Sequence, residues 1–134
     1  MPTLKSEVQT VATESDIVYA RQHVRRWAVA LKFSIVDQTK VVTAASELAR
    51  NLLIYGGGGH VTLEHLQDGT RQGLRVVFED SGPGIPDVEQ ALKDGFTSGK
   101  GMGLGLGGAK RLVNEFQIET ELGKGTRITI TKWR

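Results

Sequence analysis

Glu79-Asp80-Ser81-Gly82-Pro83-Gly84 and, after a polar segment, Gly101-Met102-Gly103-Leu104-Gly105-Leu106-Gly107-Gly108 are the two stretches on which the reading of this chain turns. The first follows a strand-like run, Leu74 to Phe78, so the Asp80 carboxylate stands where a buried strand opens into a turn that needs glycine. The second would bring backbone N–H groups to phosphate oxygens just before a helix beginning at about Leu104. Together they outline a nucleotide pocket. A glycine-rich run alone is equally at home in a surface loop, so the weight rests on the elements around it.

Working outward, Glu7 to Thr13 reads as an edge strand, with Met1 to Ser6 a short leader that lacks the apolar core of a secretion signal. Ser15 is the expected N-cap of a first helix that carries Ile17, Ala20, Val24, Trp27, Ala28 and Leu31 down one side. A second helix is expected from Ile35 to about Tyr55, with Val41, Ala45, Leu48 and Leu52 on one stripe and Gly56 to Gly59 ending it. His60 to Leu66 and Gly73 to Glu79 pair as a hairpin across Asp68-Gly69-Thr70. Pro86 starts a short helix through Val88, Ala91 and Leu92, and Ala109 to Phe116 continues the helix of the glycine block. Gln117 to Thr120 and Thr126 to Lys132 form a terminal hairpin. The expected fold is an α+β two-layer sandwich, a mixed, largely antiparallel sheet with helices on one face.

The 134 residues suit one domain, 1-134, with no room for a second catalytic one. Seventeen Lys and Arg against fifteen Asp and Glu leave a formal charge of +2 without a basic tract, which argues against nucleic acid as a partner. No apolar run is long enough to span a membrane. The absence of cysteine excludes disulfides and thiolate chemistry and fits a cytoplasmic location, and the three histidines are too scattered for a structural zinc site.

Glu47 and Asn51 stand four residues apart on the second helix and so share a face. An amide oxygen is a neutral ligand suited to Mg²⁺, and an ionised carboxylate can orient an attacking hydroxyl or accept its proton. Taken alone, such a pair is usually an ordinary solvated face. Here it precedes the Asp-x-Gly-x-Gly and Gly-x-Gly-x-Gly blocks, and the whole order resembles the superfamily of gyrase, Hsp90, histidine-kinase and MutL ATPases. Within that superfamily it is similar to small bacterial anti-sigma and stressosome-type serine/threonine kinases. Four segments carry the likeness: Glu47-Leu48-Ala49-Arg50-Asn51, Asp80-Ser81-Gly82-Pro83-Gly84, Gly101-Met102-Gly103-Leu104-Gly105-Leu106 and Gly123-Lys124-Gly125-Thr126.

The resemblance implies a Bergerat-type ATP-binding fold with ATP and Mg²⁺ as cofactors. It makes Asn51 the metal ligand, Glu47 the catalytic residue acting on the attacking hydroxyl, and Asp80 the acceptor for the adenine amino group. Gly82, Gly84, Gly101, Met102, Gly103, Leu104, Gly105 and Leu106 would line the nucleotide, Thr126 would help hold the base, and residues 85-100 would form a short ATP lid. Asp80 has a competing reading as a turn-capping residue bonded to its own backbone. Ser98-Gly99-Lys100-Gly101 is not a Walker loop, because no Ser or Thr follows the lysine, and Lys100 is read equally as a phosphate contact or as a solvated loop charge, since a long side chain in a mobile loop serves either purpose.

The implied partner is a small protein with an anti-sigma-antagonist or sulfate-transporter-type domain that bears the accepting serine or threonine. The run from Asp94 to Lys100 and Gly107 to Phe116 looks more like the stressosome switch kinase than a sigma-binding protein. The alternative is a nucleotide-dependent anti-sigma factor, or a module that activates a PP2C-type phosphatase, with little transfer. The first strand and helix offer a homodimer surface, although burial against the parent sheet explains their apolar residues equally well.

Overall fold

The computed structural model describes residues 3–92 and 106–134. Strands β1 (Thr3–Val11), β2 (Gly59–Asp68), β3 (Arg71–Asp80), β4 (Glu115–Glu121) and β5 (Gly125–Trp133) form one sheet in the order β1-β2-β3-β5-β4. Every pairing in it is antiparallel. Helices α1 (Glu14–Ala30) and α2 (Ile35–Ile54) pack against each other and cover one face. Among the described residues there are also two short helices, α3 (Val88–Ala91) and α4 (Leu106–Arg111), the second of them packed on α2.

The period-2 rule fixes which side chains meet the helices. Val61 and Leu63 of β2, Leu74, Val76 and Phe78 of β3, and Ile128 and Ile130 of β5 point inward and are buried. Against them α1 sets Ile17, Ala20, Val24 and Ala28, and α2 sets Val41, Ala45, Leu48 and Leu52. Burying one such leucine contributes roughly 2–3 kcal/mol, and its truncation to alanine costs about 2–5 kcal/mol once the cavity is counted.

Helix α1 starts two residues earlier than the Ser15 cap implies. Thr13 is the N-cap: its hydroxyl accepts the Asp16 N–H at 3.3 Å, while Asp16 Oδ2 accepts the N–H groups of Ala12 at 2.8 Å and Thr13 at 3.1 Å. This reciprocal box satisfies donors on both sides of the cap, which Ser15, already inside the first turn, could not do. At the other end Phe33 N–H reaches Ala28 O and Lys32 N–H reaches Val29 O, with Lys32 at φ 63°. That is a Schellman end built on a lysine where glycine is usual.

Strand β1 begins at Thr3, so residues 3–6 belong to the sheet and the leader reading is corrected. Except for the fully buried Val11, its inward face is polar, which conceals the alternation. Trp27 Nε1 donates to Glu7 Oε2 at 3.1 Å, His23 Nδ1 lies 2.7 Å from Gln9 Oε1, and Lys5 Nζ stands 5.0 Å from the Trp27 ring centre. The glycine-block helix is also shorter than expected. It stops at Arg111, and Phe116 lies in β4, where Phe116, Ile118 and Thr120 alternate inward with exposed neighbours. Asn114 marks the change of element, its N–H bonded to Thr131 O and its Oδ1 accepting Trp133 N–H at 2.8 Å.

Helix α2 is held at both ends. Ser34 Oγ caps it by accepting Asp37 N–H at 3.1 Å, and the ammonium of Lys132, buried in β5, lies 3.4 Å from Asp37 Oδ1. At its C-terminus Asn51 O accepts Tyr55 N–H at 2.9 Å and Gly56 N–H at 3.2 Å. The helix thus delivers its last turn to the end of β3, where Asp80 stands. Among the described residues no helix is long and apolar enough to cross a membrane.

Candidate functional site

A cleft opens between the last turns of α2 and the ends of β3 and β5. Its walls are mostly apolar: Leu48, Leu52 and Tyr55 from α2, Phe78 from β3, Ile128 from β5, Leu106 from α4, and Pro83 to Ile85 as a lip. Three polar side chains converge on it, Asn51, Asp80 and Thr126. An apolar slot with a few placed polar groups suits a flat heterocycle whose edge must be recognised.

Asp80 is the last residue of β3 and Thr126 is its register partner on β5. Gly82 N–H donates to Asp80 Oδ1 at 2.9 Å. The turn-capping role is therefore real, and it occupies only part of the carboxylate, which has about four acceptor positions. The carboxylate lies so close to Gly56 that a Cβ on that residue would overlap it. Gly84, at φ 82°, passes over Glu121 O in a conformation that a side chain would strain. The tetraglycine after α2 thus does more than end the helix: Gly56 leaves room for Asp80, and Gly59 passes against the backbone of Glu79.

The cleft is further laced by Thr120 on β4. Its Oγ1 accepts Ile85 N–H at 2.9 Å, lies 2.9 Å from Thr126 Oγ1 and donates to Gly125 O at 3.2 Å. Pro83 O accepts Gly123 N–H at 2.9 Å, so the lip is fastened at two points, to the β4–β5 turn and to strand β4.

Of the residues singled out in the sequence, Asn51, Asp80, Gly84, Leu106 and Thr126 line the cleft, and Gly82 holds the Asp80 carboxylate. Asn51 is buried, with 9% of its surface exposed. Glu47 is exposed on α2, one turn before Asn51 and outside the lining, toward the solvent side of the helix. Lys100, Gly101, Met102, Gly103, Leu104 and Gly105 lie outside the described residues, as does the 93–100 part of the 85–100 lid segment. Sequence reasoning missed Thr120, Tyr55 and Gly56. The inward alternation of Phe116, Ile118 and Thr120, set in register against Thr126, was the signal for the first of these.

An antiparallel sheet with two long helices on one face, and a carboxylate-ended strand opening on an apolar cleft, define a nucleotide-binding domain. Residues 36–134 match the family described as histidine kinase-, DNA gyrase B- and HSP90-like ATPases, and the chain belongs to that family. Membership of that family implies that the domain binds ATP. The chain is 46% identical over 123 residues to the serine/threonine-protein kinase RsbT of Bacillus subtilis (strain 168), covering 92% of each chain. It is 28% identical over 133 residues to the anti-sigma F factor of Thermoanaerobacter sp. (strain X514), covering 95% of this chain and 92% of that one. Among solved structures, the RsbU and RsbW domains of a Mycobacterium tuberculosis protein superpose with a TM-score of 0.63 at 21% identity, over 97% of this chain and 33% of that one, a likeness of fold.

Proposed function

We propose that this chain is a protein serine/threonine kinase that moves the γ-phosphoryl group of ATP to a hydroxyl of a small bacterial regulatory protein in a partner-switching pathway. The observation that carries the reading is the 46% identity to the kinase RsbT across nearly the whole of both chains, together with a cleft whose polar edge is Asp80 and Thr126. The partner class is a compact anti-sigma-antagonist or sulfate-transporter-type domain, and the setting is the cytoplasm, where Mg-ATP is supplied.

The residues present fit the cofactors. Asp80, with its Oδ1 pinned by Gly82, can accept from an exocyclic amino group and would meet the oxo group of guanine acceptor to acceptor. Mg²⁺ keeps most of its waters and takes one or two protein oxygens besides phosphate, so a single buried amide donor, Asn51, suits it. Bound Mg²⁺ would neutralise charge on the phosphates. In the transfer, the partner's hydroxyl oxygen bonds to the γ-phosphorus, the bond to the β–γ bridging oxygen breaks, ADP leaves, and the hydroxyl proton passes to a base. Glu47 is that base or orienting group. Its exposure supports this reading, since a protein hydroxyl would arrive from outside.

The test incubates the purified protein with Mg-ATP and an extract of its own cells and identifies the phosphorylated protein by mass spectrometry. A single small protein modified on serine or threonine is expected. The 28% identity to an anti-sigma F factor favours a second reading, a nucleotide-dependent binder of a sigma factor or of a PP2C-type phosphatase. An ATP-dependent stable complex without phosphate transfer would select that reading.

A further inference from the structure

A second concavity, of about 360 Å³, lies between the C-terminal half of α1, the first residues of β1 and His65 of β2, and shares no lining residue with the nucleotide cleft. That volume suits a small ligand. Its floor is apolar, made by Trp27, Ala30 and Leu31, and its rim carries Lys5, Arg26, His23 and His65. Glu7 is the one carboxylate in the lining, and its Oε2 already accepts the Trp27 Nε1–H at 3.1 Å. Among the described residues neither Lys5 nor Arg26 forms a salt bridge. Two permanent cations thus border the pocket against one partly committed carboxylate.

The histidines are set to join them. Gln9 Nε2 donates to Asp16 O at 2.9 Å, which turns Gln9 Oε1 toward His23 Nδ1, 2.7 Å away. Nδ1 therefore carries the proton, and Nε2 is the nitrogen left for a ligand. His65 Nε2 stands 2.6 Å from Gln72 Oε1 and in the same way leaves Nδ1. A protonated ring donates from the nitrogen that remains, so an anion in the pocket can recruit both. A metal ion is a poor fit, because no three His, Cys, Asp or Glu among the described residues are placed to hold one. An organic cation is no better, since Lys5 Nζ already stands 5.0 Å from the Trp27 ring centre. Nor does the negative end of α1 repel an anion strongly: the carbonyls of Trp27, Ala28 and Val29 are taken by the N–H groups of Leu31, Phe33 and Lys32.

From this lining we infer that the pocket binds a small organic anion, a carboxylate or phosphate carried on a compact apolar body. Lys5 and Arg26 hold the charged head, and the body lies on Trp27, Ala30 and Leu31. The site stands apart from the nucleotide reading of the cleft and does not depend on it.

The experiment titrates phenyl phosphate, benzoate and neutral benzamide into the nucleotide-free protein at constant ionic strength and follows the two indole N–H signals by NMR. Trp133 Nε1 donates to Glu115 at 2.7 Å, outside the pocket, and serves as the internal reference. The Trp27 signal is expected to move saturably with at least one of the anions while Trp133 holds still and benzamide has no effect. The tighter of the two anions identifies the head group. Arg26→Ala and Lys5→Ala should each weaken binding by about 5- to 20-fold, the lower range for a hydrogen bond to a charged group because the rim is solvated. Glu7→Gln keeps an acceptor for Trp27 and removes the opposing charge, so it should tighten binding by about 2- to 5-fold. ATP affinity should stay within about 2-fold in all three variants.

No saturable Trp27 shift, an equal response to benzamide, or wild-type affinity in Arg26→Ala would each overturn the inference. So would a response that survives Arg26→Ala and disappears in Asp80→Ala, which would put the probe in the nucleotide cleft. Thermal melting checks folding; if Lys5→Ala does not fold, the opposite signs expected of Arg26→Ala and Glu7→Gln decide.

Discussion

A carboxylate that caps its own turn and faces a ligand is constrained twice, and Asp80 is such a residue. Gly82 N–H fixes Oδ1, and the absence of a Cβ at Gly56 lets the whole group sit back from the cleft. Asp80→Asn preserves the shape and can keep the turn, but its NH₂ can donate where the carboxylate only accepts. ATP affinity should fall by about 10-fold or more while GTP affinity rises or holds, as a mispaired buried polar group costs about 1–3 kcal/mol. Competition binding with the two nucleotides reads this directly. Glu47 calls for a different measurement because it is exposed. Glu47→Gln should leave ATP affinity within about 2-fold and slow single-turnover phosphorylation of the native partner by ~10²–10⁴-fold. Equal rates at matched occupancy would remove Glu47 from catalysis.

At the scale of elements, the start of α1 makes a stability forecast with a definite sign. Asp16 has its carboxyl held below the ordinary value of 3.8, first by the Ala12 N–H and then, against a burial effect that pushes it up, by the Thr13 N–H and hydroxyl. A lowered carboxyl favours the folded state wherever it is ionised, so its contribution is full above the ordinary value and is lost as pH falls through the folded one. The melting-temperature gap between wild type and Asp16→Asn should therefore be constant from pH 7 to about pH 5 and close on further acidification. A gap that persists at pH 2 would show that the box acts through shape alone.

The same element shows what the sequence could and could not disclose. The apolar stripe of α1 is plain at period 3.6, but Thr13-Glu14-Ser15-Asp16 offers two cap positions, and only the reach of Asp16 back to Ala12 and Thr13 chooses between them. Strand β1 was legible only in part because Lys5, Glu7 and Gln9 satisfy α1 by hydrogen bonds and a ring contact instead of apolar packing. The end of α4 was misread since Leu112 and Val113 continue a helical period, while Asn114 diverts the chain onto β5.

On the scale of the whole molecule, the cleft draws on α2, β3, the lip, α4 and β5, so nucleotide binding should stabilise the fold as one unit. Free ligand at 100 times its Kd adds about 2.7 kcal/mol, several degrees for a domain of this size. Thermal melting with ATP should show this shift in wild type, with a further increment on adding Mg²⁺. Asn51→Ala should lose the Mg²⁺ increment, and an Asp80→Ala, Asn51→Ala double variant should show no shift at all. Asp80 and Thr126 were readable because a loop of glycines frames each; the apolar walls were not, since Phe78 and Ile128 look like any core pair until register sets them beside the cleft.

The strand order has a temporal meaning as well. β5 follows every other strand in the chain yet lies between β3 and β4, so a growing polypeptide can complete the β1–β2–β3 meander while one long edge of β3 still waits for a mate. Thr126 and Ile128 arrive on that last strand. Until it slots in, β4 has no neighbour, the purine-reading edge does not exist, and the nascent protein carries an open β-edge liable to pair with the wrong chain. Pairing of β5 with β3 therefore both completes the lining of the cleft and closes that open edge.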